Sequence, residues 1–375
     1  MRPKRIALYS HDTMGLGHIR RNLLIAHSLS AMDPEPAILL ICGTPESLRL
    51  QRPKCADILA LPGYKKLPDG RYTSRSLRIP LDELTSLRAA TIERALQEFQ
   101  PDALIVDKVP SGAMNELLPS LESLRSRGAR AILGLRDILD DAESTKQEWE
   151  ANKFEALVAD YFDDIWVYGD RNVFDVRKEY AFSQQLRERA TYTGYLAPLP
   201  LCKSKVSDNV LCLVGGGQDG YDLAKAFSLA DYGSAKRGVL ITGPFMPENE
   251  VADLATAAEK RKNLTVIRFD NVGPHLARAN RIVSMGGYNT VCEILANRKQ
   301  ALIVPRSKPR LEQTIRAERL AARNAVTALP MEQLSSDSIS EYLNKRSNEG
   351  KEMNIDLNGC SGLIEKFHKG QTLGI

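Results

Sequence analysis

No CxxC pair and no cluster of cysteine with histidine occurs in the 375 residues, which argues against a structural zinc site. The six cysteines, Cys42, Cys55, Cys202, Cys212, Cys292 and Cys360, lie far apart and mostly within apolar runs, so they read as reduced core thiols of a cytoplasmic protein. No apolar stretch reaches the roughly 18 residues that a membrane-spanning helix needs. The run IALYS that follows the basic start Met1-Arg-Pro-Lys-Arg is also too short for the core of a secretion signal. The expectation is a cytoplasmic chain, at most peripheral to the inner face of a membrane. A dominant charge is missing too: the net +4 is small for this length, so nucleic acid is not demanded as a partner, although anionic ligands are welcome. Low-complexity segments and internal repeats are absent by eye.

What is present is an alternation. Short apolar runs (RIALYS, AILLIC, DALIVD, RAILGL and DIWVYG, then NVLCLV, RGVLIT, NLTVIR, RIVSM and QALIVP) are separated by longer stretches of helical period. Near-continuous apolar strands between helices are the mark of parallel sheets covered on both faces. A single core rarely grows beyond about 250 to 300 residues, so 375 residues predict two α/β units. The proline-containing polar segment TGYLAPLPLCKSKVSDN, residues 193–209, is the expected seam, giving domains 1–198 and 199–375. From Leu334 onward the chain reads as helices around the loop-like segment NEGKEMNIDLNGCSG, with the last helices packing back on the first domain.

In open α/β sheets, ligands sit beyond the carboxyl ends of the strands, where the turns enter helices. The first such turn is SHDTMGLGHIRRNLL, residues 10–24. Gly15 and Gly17 permit close backbone approach, and His18 would lie in the first turn of the following helix, placed to take a proton from a hydroxyl at neutral pH. A lone histidine there can also be mere polar decoration, and His11 competes with it. Asp107 ends the run DALIVD; it can orient the histidine or simply cap a turn.

The second half opens with VGGGQDG, where Gly215, Gly217 and Gly220 spell GxGxxG. A dinucleotide site would want an acidic residue at the end of the next strand, and RGVLITGPF offers none. The better reading is a turn in which Gly215, Gly216 and Gly217 let a diphosphate approach the backbone. Phe269, after NLTVIR, can rim a base pocket or belong to an ordinary loop. In MGGYNTVCEIL, Gly286 and Gly287 open the backbone at a helix start, and Tyr288, Asn289 and Thr290 offer donors for phosphate oxygens. Glu293 can accept from both hydroxyls of a ribose, or pair with Thr290 as a cap. The run QALIVP then delivers Arg306 to the same edge, and Glu312-Gln313 open the next helix with a carboxylate and an amide, the groups a site needs to read sugar hydroxyls.

These residues resemble the GT-B glycosyltransferases of the MurG-like branch, glycosyltransferase family 28. The resemblance rests on GLGH at 15–18, MGGYNTVCEIL at 285–295, and Pro305-Arg306 followed by Glu312-Gln313. It implies a GT-B fold of two Rossmann-like doubly wound domains facing across a cleft, the first binding the acceptor and the second a UDP-sugar. It also implies an enzyme needing no cofactor and no obligatory metal. His18 then falls on the histidine of the glycine-rich first loop, a candidate general base. Gly286, Gly287, Asn289 and Thr290 fall on the diphosphate turn, Glu293 on the ribose carboxylate and Gln313 on the donor-sugar contact. Two departures stand out. The first loop reads MGLGH in place of GGTGGH, and Arg20 and Arg21 follow where an apolar start is usual, which hints at an anionic acceptor.

The expected activity is therefore inverting transfer of a hexosyl group from a UDP-sugar to a hydroxyl of a glycan, a lipid-linked molecule or a small molecule. The retaining E-x7-E pattern would place its first glutamate at Met285, and no DxD occupies a likely loop, since Asp163-Asp164 precedes a strand. The segment YKKLPDGRYTSRSLR, residues 64–78, concentrates basic residues that suit a lipid phosphate, an acidic sugar or an anionic membrane, or that form a solvated loop. The competing readings are a UDP-sugar 2-epimerase, a non-catalytic nucleotide-sugar-binding protein on the same scaffold, and, last, an NAD-dependent oxidoreductase.

Overall fold

A computed structural model describes residues 2–11, 15–67, 71–198, 207–233, 236–268, 271–345 and 353–369. The chain divides into two compact units, Met1–Leu196 together with Asn358–Ile375, and Ala197–Leu357.

The first unit is built on strands β1 (Arg5–Ser10), β2 (Ala37–Cys42), β3 (Ala56–Ala60), β6 (Ala103–Asp107), β7 (Arg130–Arg136), β8 (Asp164–Tyr168) and β9 (Ala190–Tyr192), with a small antiparallel hairpin of β4 (Tyr64–Lys66) and β5 (Tyr72–Ser74) beside them. The seven main strands are ordered β3-β2-β1-β6-β7-β8-β9 and all run parallel. Every residue of β6 is buried, as are the last five of β1, because helices cover both faces of the sheet. That double covering is why those strands read as unbroken apolar runs. Each fully buried Leu, Ile or Val contributes roughly 1.5–3 kcal/mol of transfer free energy, which fixes the central strands more firmly than the edges.

The second unit repeats the plan with β10 (Asn209–Leu213), β11 (Arg237–Ile241), β12 (Leu264–Ile267), β13 (Ala279–Ser284), β14 (Gln300–Ile303) and β15 (Thr327–Ala328), ordered β12-β11-β10-β13-β14-β15 and parallel throughout. Its core includes Val210, Cys212, Leu223, Phe227, Leu240 and Val283, closed by Ile339 and Leu343 of the helix Ser336–Asn344.

The chain's last segment returns to the first unit. Leu196 and Asn358 form an antiparallel bridge, the Gly359 N–H donates to the Tyr195 carbonyl at 3.1 Å, and Arg130 Nη1 donates to the Phe367 carbonyl at 2.6 Å. The helix Leu363–Lys369 buries Leu363 and Phe367 there. Of the cysteines, Cys42, Cys212 and Cys292 are buried thiols and Cys55 and Cys360 half-buried ones, whereas Cys202 lies outside the described residues. Among the described residues no helix is long and apolar enough to cross a membrane.

Candidate functional site

In each sheet the winding reverses once, between β1 and β6 in the first unit and between β10 and β13 in the second. Beyond the carboxyl ends of such neighbouring strands the connecting turns diverge to opposite faces and leave a crevice. The residues singled out above gather at these two places.

At the first reversal, β1 leads to the helix Gly17–Leu29, whose N-cap position, Leu16, makes no side-chain cap. Gly15 has φ +81°, and no atom lies within 4 Å of where a Cβ would stand on Gly15 or Gly17. His18 sits in the first turn and reaches the end of β6, where its Nδ1 bonds to Asp107 Oδ2. Asp107 is wholly buried and also accepts from Arg21 Nε at 2.8 Å and Nη2 at 2.6 Å. His18 and Arg21 are three residues apart, hence on one helix face, which is how both meet a single carboxylate. An ionised Asp107 only accepts, so the Nδ1 proton belongs to this bond and Nε2 is left as the imidazole's basic nitrogen.

Desolvation lowers the His18 pKa to about 4, against the pull of the Asp107 carboxylate and with help from Arg21 and Lys108. Asp107 is held well below the usual carboxylate range: burial works against its charge, but Arg21 and His18 prevail. A neutral imidazole on a permanently charged carboxylate can take a proton and have the resulting charge stabilised.

Arg21 was expected to face an anionic acceptor; instead its guanidinium is buried against Asp107 and serves the interior. Arg20, half-buried, lies beside it on the helix. The His11 ring stands edge-on to His18, with centroids 5.8 Å apart, and burial lowers its pKa well below the ordinary value. Among the described residues its Nδ1 meets no hydrogen-bonding partner.

Behind this cluster lies a network the sequence did not reveal. Glu116, buried, accepts from Arg88 Nε and Nη2 at 2.6 Å each, from Tyr9 Oη at 2.7 Å and from Tyr64 Oη at 3.0 Å. Tyr9 Oη in turn accepts from the Ala113 N–H at 2.8 Å. Together they pin the turn after Asp107, where Lys108, Met114 and Asn115 all take left-handed backbone angles. Such angles cost of order 1–3 kcal/mol each and persist where surrounding contacts impose them. The network also claims Tyr64 from the basic 64–78 segment, Tyr72 packs on it at 6.3 Å, and Arg75 pairs with Glu46 at 2.5 Å. The segment is thus partly a hairpin anchored to the core; its residues 68–70 lie outside the described set.

At the second reversal, the turn after β10 carries Gly215, Gly216 and Gly217. Gly217, at φ +94°, is required by packing, since a Cβ there would stand 2.4 Å from the Thr242 carbonyl; Gly215 has open space around it. Of this trio Gly215 therefore leaves the most room for a ligand to approach. The turn after β13 holds Gly286 at φ +79°, where a Cβ would stand 2.5 Å from Ile303 Cγ2. Gly287 is the N-cap of the helix Tyr288–Ala296, with no side chain capping it and nothing within 4 Å of an added Cβ. Thr290 thus occupies the third helical position, and the Thr290–Glu293 capping pair considered above does not form. Tyr288 is buried beneath the Arg316 guanidinium, 5.8 Å from its ring. Asn289, Thr290 and Glu293 are half-buried on the same helix.

Arg306 follows β14 and bonds to Asp219 Oδ2 of the first glycine turn at 2.5 Å and to Glu312 Oε1 at 3.5 Å. With the Gln313 amide oriented to satisfy both neighbours, its nitrogen donates to the Met285 carbonyl at 2.8 Å and its oxygen accepts from Arg306 Nε at 3.3 Å. Glu312 and Gln313 are buried, and Glu312 Oε1 and the Gln313 oxygen face Arg306. Phe269 lies outside the described residues. Among those described, no group of three or more His, Cys, Asp or Glu is arranged to hold a metal ion.

A profile of the glycosyltransferase family 28 C-terminal domain matches residues 210–361. The two doubly wound units also superpose on solved GT-B structures along nearly their whole length: MurG of Acinetobacter baumannii aligns over 99% of both chains with TM-score 0.56 and 13% identity. Residues 210–361 thus carry a family 28 C-terminal domain, and the chain has the GT-B fold. Further likeness comes from the UDP-N-acetylglucosamine–N-acetylmuramyl-(pentapeptide) pyrophosphoryl-undecaprenol N-acetylglucosamine transferase of Bartonella bacilliformis, 27% identical over 186 residues, 46% of this chain and 47% of that protein. The match thus spans about half the length of that relative. The UDP-GlcNAc 2-epimerase of Neisseria meningitidis shares the fold as well, with TM-score 0.62 and 12% identity over all of both chains.

Proposed function

We propose that this protein is an inverting glycosyltransferase that moves a hexosyl group from a UDP-sugar to a hydroxyl of a glycan, lipid-linked or small-molecule acceptor. The observation that carries the reading is the His18 imidazole seated on buried Asp107 at the winding reversal of the first sheet. His18 Nε2 removes the acceptor hydroxyl proton as its oxygen attacks the anomeric carbon, and the bond from that carbon to the UDP oxygen breaks. Asp107 stabilises the imidazolium formed, and Arg21 holds the carboxylate in place. On the second unit the leaving diphosphate is met by the helix start at Gly287, Tyr288 and Asn289 and by Arg306. Glu293 accepts from the ribose hydroxyls, and Gly215 gives the diphosphate room. Glu312 and Gln313 act through Arg306. No metal or cofactor is assigned a part in the step.

The epimerase reading stays second. It is favoured by the higher TM-score of the Neisseria structure, whereas the family 28 domain and the Bartonella relative both favour transfer. We place the protein in the cytoplasm, with a peripheral membrane site formed by exposed Lys65, Arg71 and Arg78 and by Leu77, which is 50% exposed. Flotation with anionic liposomes checks this: association that is lost on charge reversal of these residues supports it, and equal flotation of the variants refutes it.

The donor site is tested by thermal shift with UDP, UDP-sugars, other nucleoside diphosphate sugars and NAD, on the wild type and Glu293→Ala. A ligand at a hundredfold its Kd adds about 2.7 kcal/mol, a rise of several degrees. A uridine-specific rise lost in the variant supports the reading. A stronger response to NAD, or none to uridine nucleotides, refutes it.

A further inference from the structure

Arg306 is gripped unequally. From one side it meets Glu312 and Gln313, both buried at the start of the helix Glu312–Ala321, and Gln313 is itself tied to the Met285 carbonyl. These contacts fix where the guanidinium lies. From the other side its Nη1 is held, among the described residues, by Asp219, whose side chain is 48% exposed and which belongs to the glycine turn after β10, 87 positions away in sequence. An ion pair so exposed adds little net stability, because water solvates both partners well when they part. The Asp219 carboxylate stands where a diphosphate oxygen would meet the same guanidinium, and the two anions repel each other.

We propose that Asp219 is a built-in competitor for the donor's diphosphate. It occupies the outward donors of Arg306 until a phosphate oxygen takes its place, and it returns as the nucleotide leaves. The exchange swaps one charge-assisted hydrogen bond for another, with the guanidinium fork offering a phosphate two parallel bonds where Asp219 uses one. Glu312 and Gln313 stay in place throughout, so Arg306 does not have to be repositioned. The effect is to weaken UDP and UDP-sugar alike and so to hasten release of the product nucleotide, a step that limits turnover in many enzymes.

This inference rests on the donor-site reading above, and calorimetric titration of the full chain with UDP separates the two. Asp219→Asn is expected to tighten UDP about three- to tenfold, and Arg306→Ala to weaken it about tenfold. In the Arg306→Ala background, Asp219→Asn is expected to give no further gain, because the group competed for is gone. Equal tightening in both backgrounds would reduce Asp219 to a general repulsive charge and overturn the competition. Unchanged UDP affinity in Asp219→Asn, with a thermal midpoint like that of the wild type, would overturn it as well. A wild type that binds no UDP at all refutes the donor site itself, and the competition falls with it.

Discussion

Asp107→Asn removes the one negative charge that Arg21 and His18 share. Asp107 is 0% and Arg21 2% exposed, and two guanidinium hydrogen bonds of 2.6 and 2.8 Å join them. Breaking a buried pair by deleting one partner's charge typically costs about 3–5 kcal/mol, because the other charge is left without compensation in a poorly solvating place. For a cooperative unit of this size each kcal/mol moves the midpoint by roughly 2–4 °C, so a loss of about 6–20 °C is expected by calorimetry of the full chain. Asparagine also presents an N–H where His18 needs an acceptor, which favours the wrong imidazole tautomer and should lower kcat by a hundredfold or more. The double variant Arg21→Met with Asp107→Leu separates these effects. It should recover much of the stability, since a buried ion pair is often replaceable by apolar groups, but none of the activity. A midpoint within about 2 °C of the wild type for Asp107→Asn, or a double variant no more stable than the single, would refute the reasoning.

Further outcomes follow from the same geometry. With His18 near 4, kcat/KM should stay level from pH 8 down to about 5 and fall as the imidazole gains its proton; an acid limb centred near 6.5 would place His18 in a solvated setting. The sign for stability is the same: the unfolded chain binds that proton first, so His18 makes stability decline as pH falls from about 6.5 towards 4, which acid-unfolding midpoints of wild type and His18→Ala can measure. Gly286→Ala, at positive φ with Ile303 in the way, should destabilise the second unit by more than about 1 kcal/mol. Gly287→Ala should cost well under that in urea unfolding yet weaken UDP, because its added methyl stands in the open turn. Glu116→Gln should destabilise the first unit by about 3–5 kcal/mol, because Arg88 is 1% exposed and has no other carboxylate among its hydrogen-bond partners in the described residues.

The sequence was most legible where burial is complete. All ten apolar runs became strands, most clearly where helices cover both faces of a parallel strand, as in β1 and β6. Three of the four edge strands, β3, β9 and β15, and the hairpin β4–β5 escaped notice because they are short or half exposed, and partly polar sequences such as ADILA and ATY carry no apolar run. The glycine turns could be found because a positive φ and an uncapped helix start leave a residue-type trace. What a long side chain does with its charge leaves none. Arg21 read as an outward cation, and its guanidinium is turned inward by a partner distant in sequence, Asp107. The three-residue spacing of His18 and Arg21 was the one available hint that both face the same strand end. The Tyr9–Arg88–Glu116 network gave no hint, since its members come from a strand, a helix and a turn with no shared motif.

The most direct test follows the anomeric carbon. The full chain is incubated with a 13C1-labelled UDP-hexose and candidate acceptors, and NMR records both UDP release and the configuration of the product. Release of UDP that requires an acceptor, with a glycosidic bond of inverted configuration and loss of both in His18→Ala, is the predicted result. Conversion of the UDP-hexose to an epimer without an acceptor, transfer with retention, or near wild-type turnover in His18→Ala would contradict it.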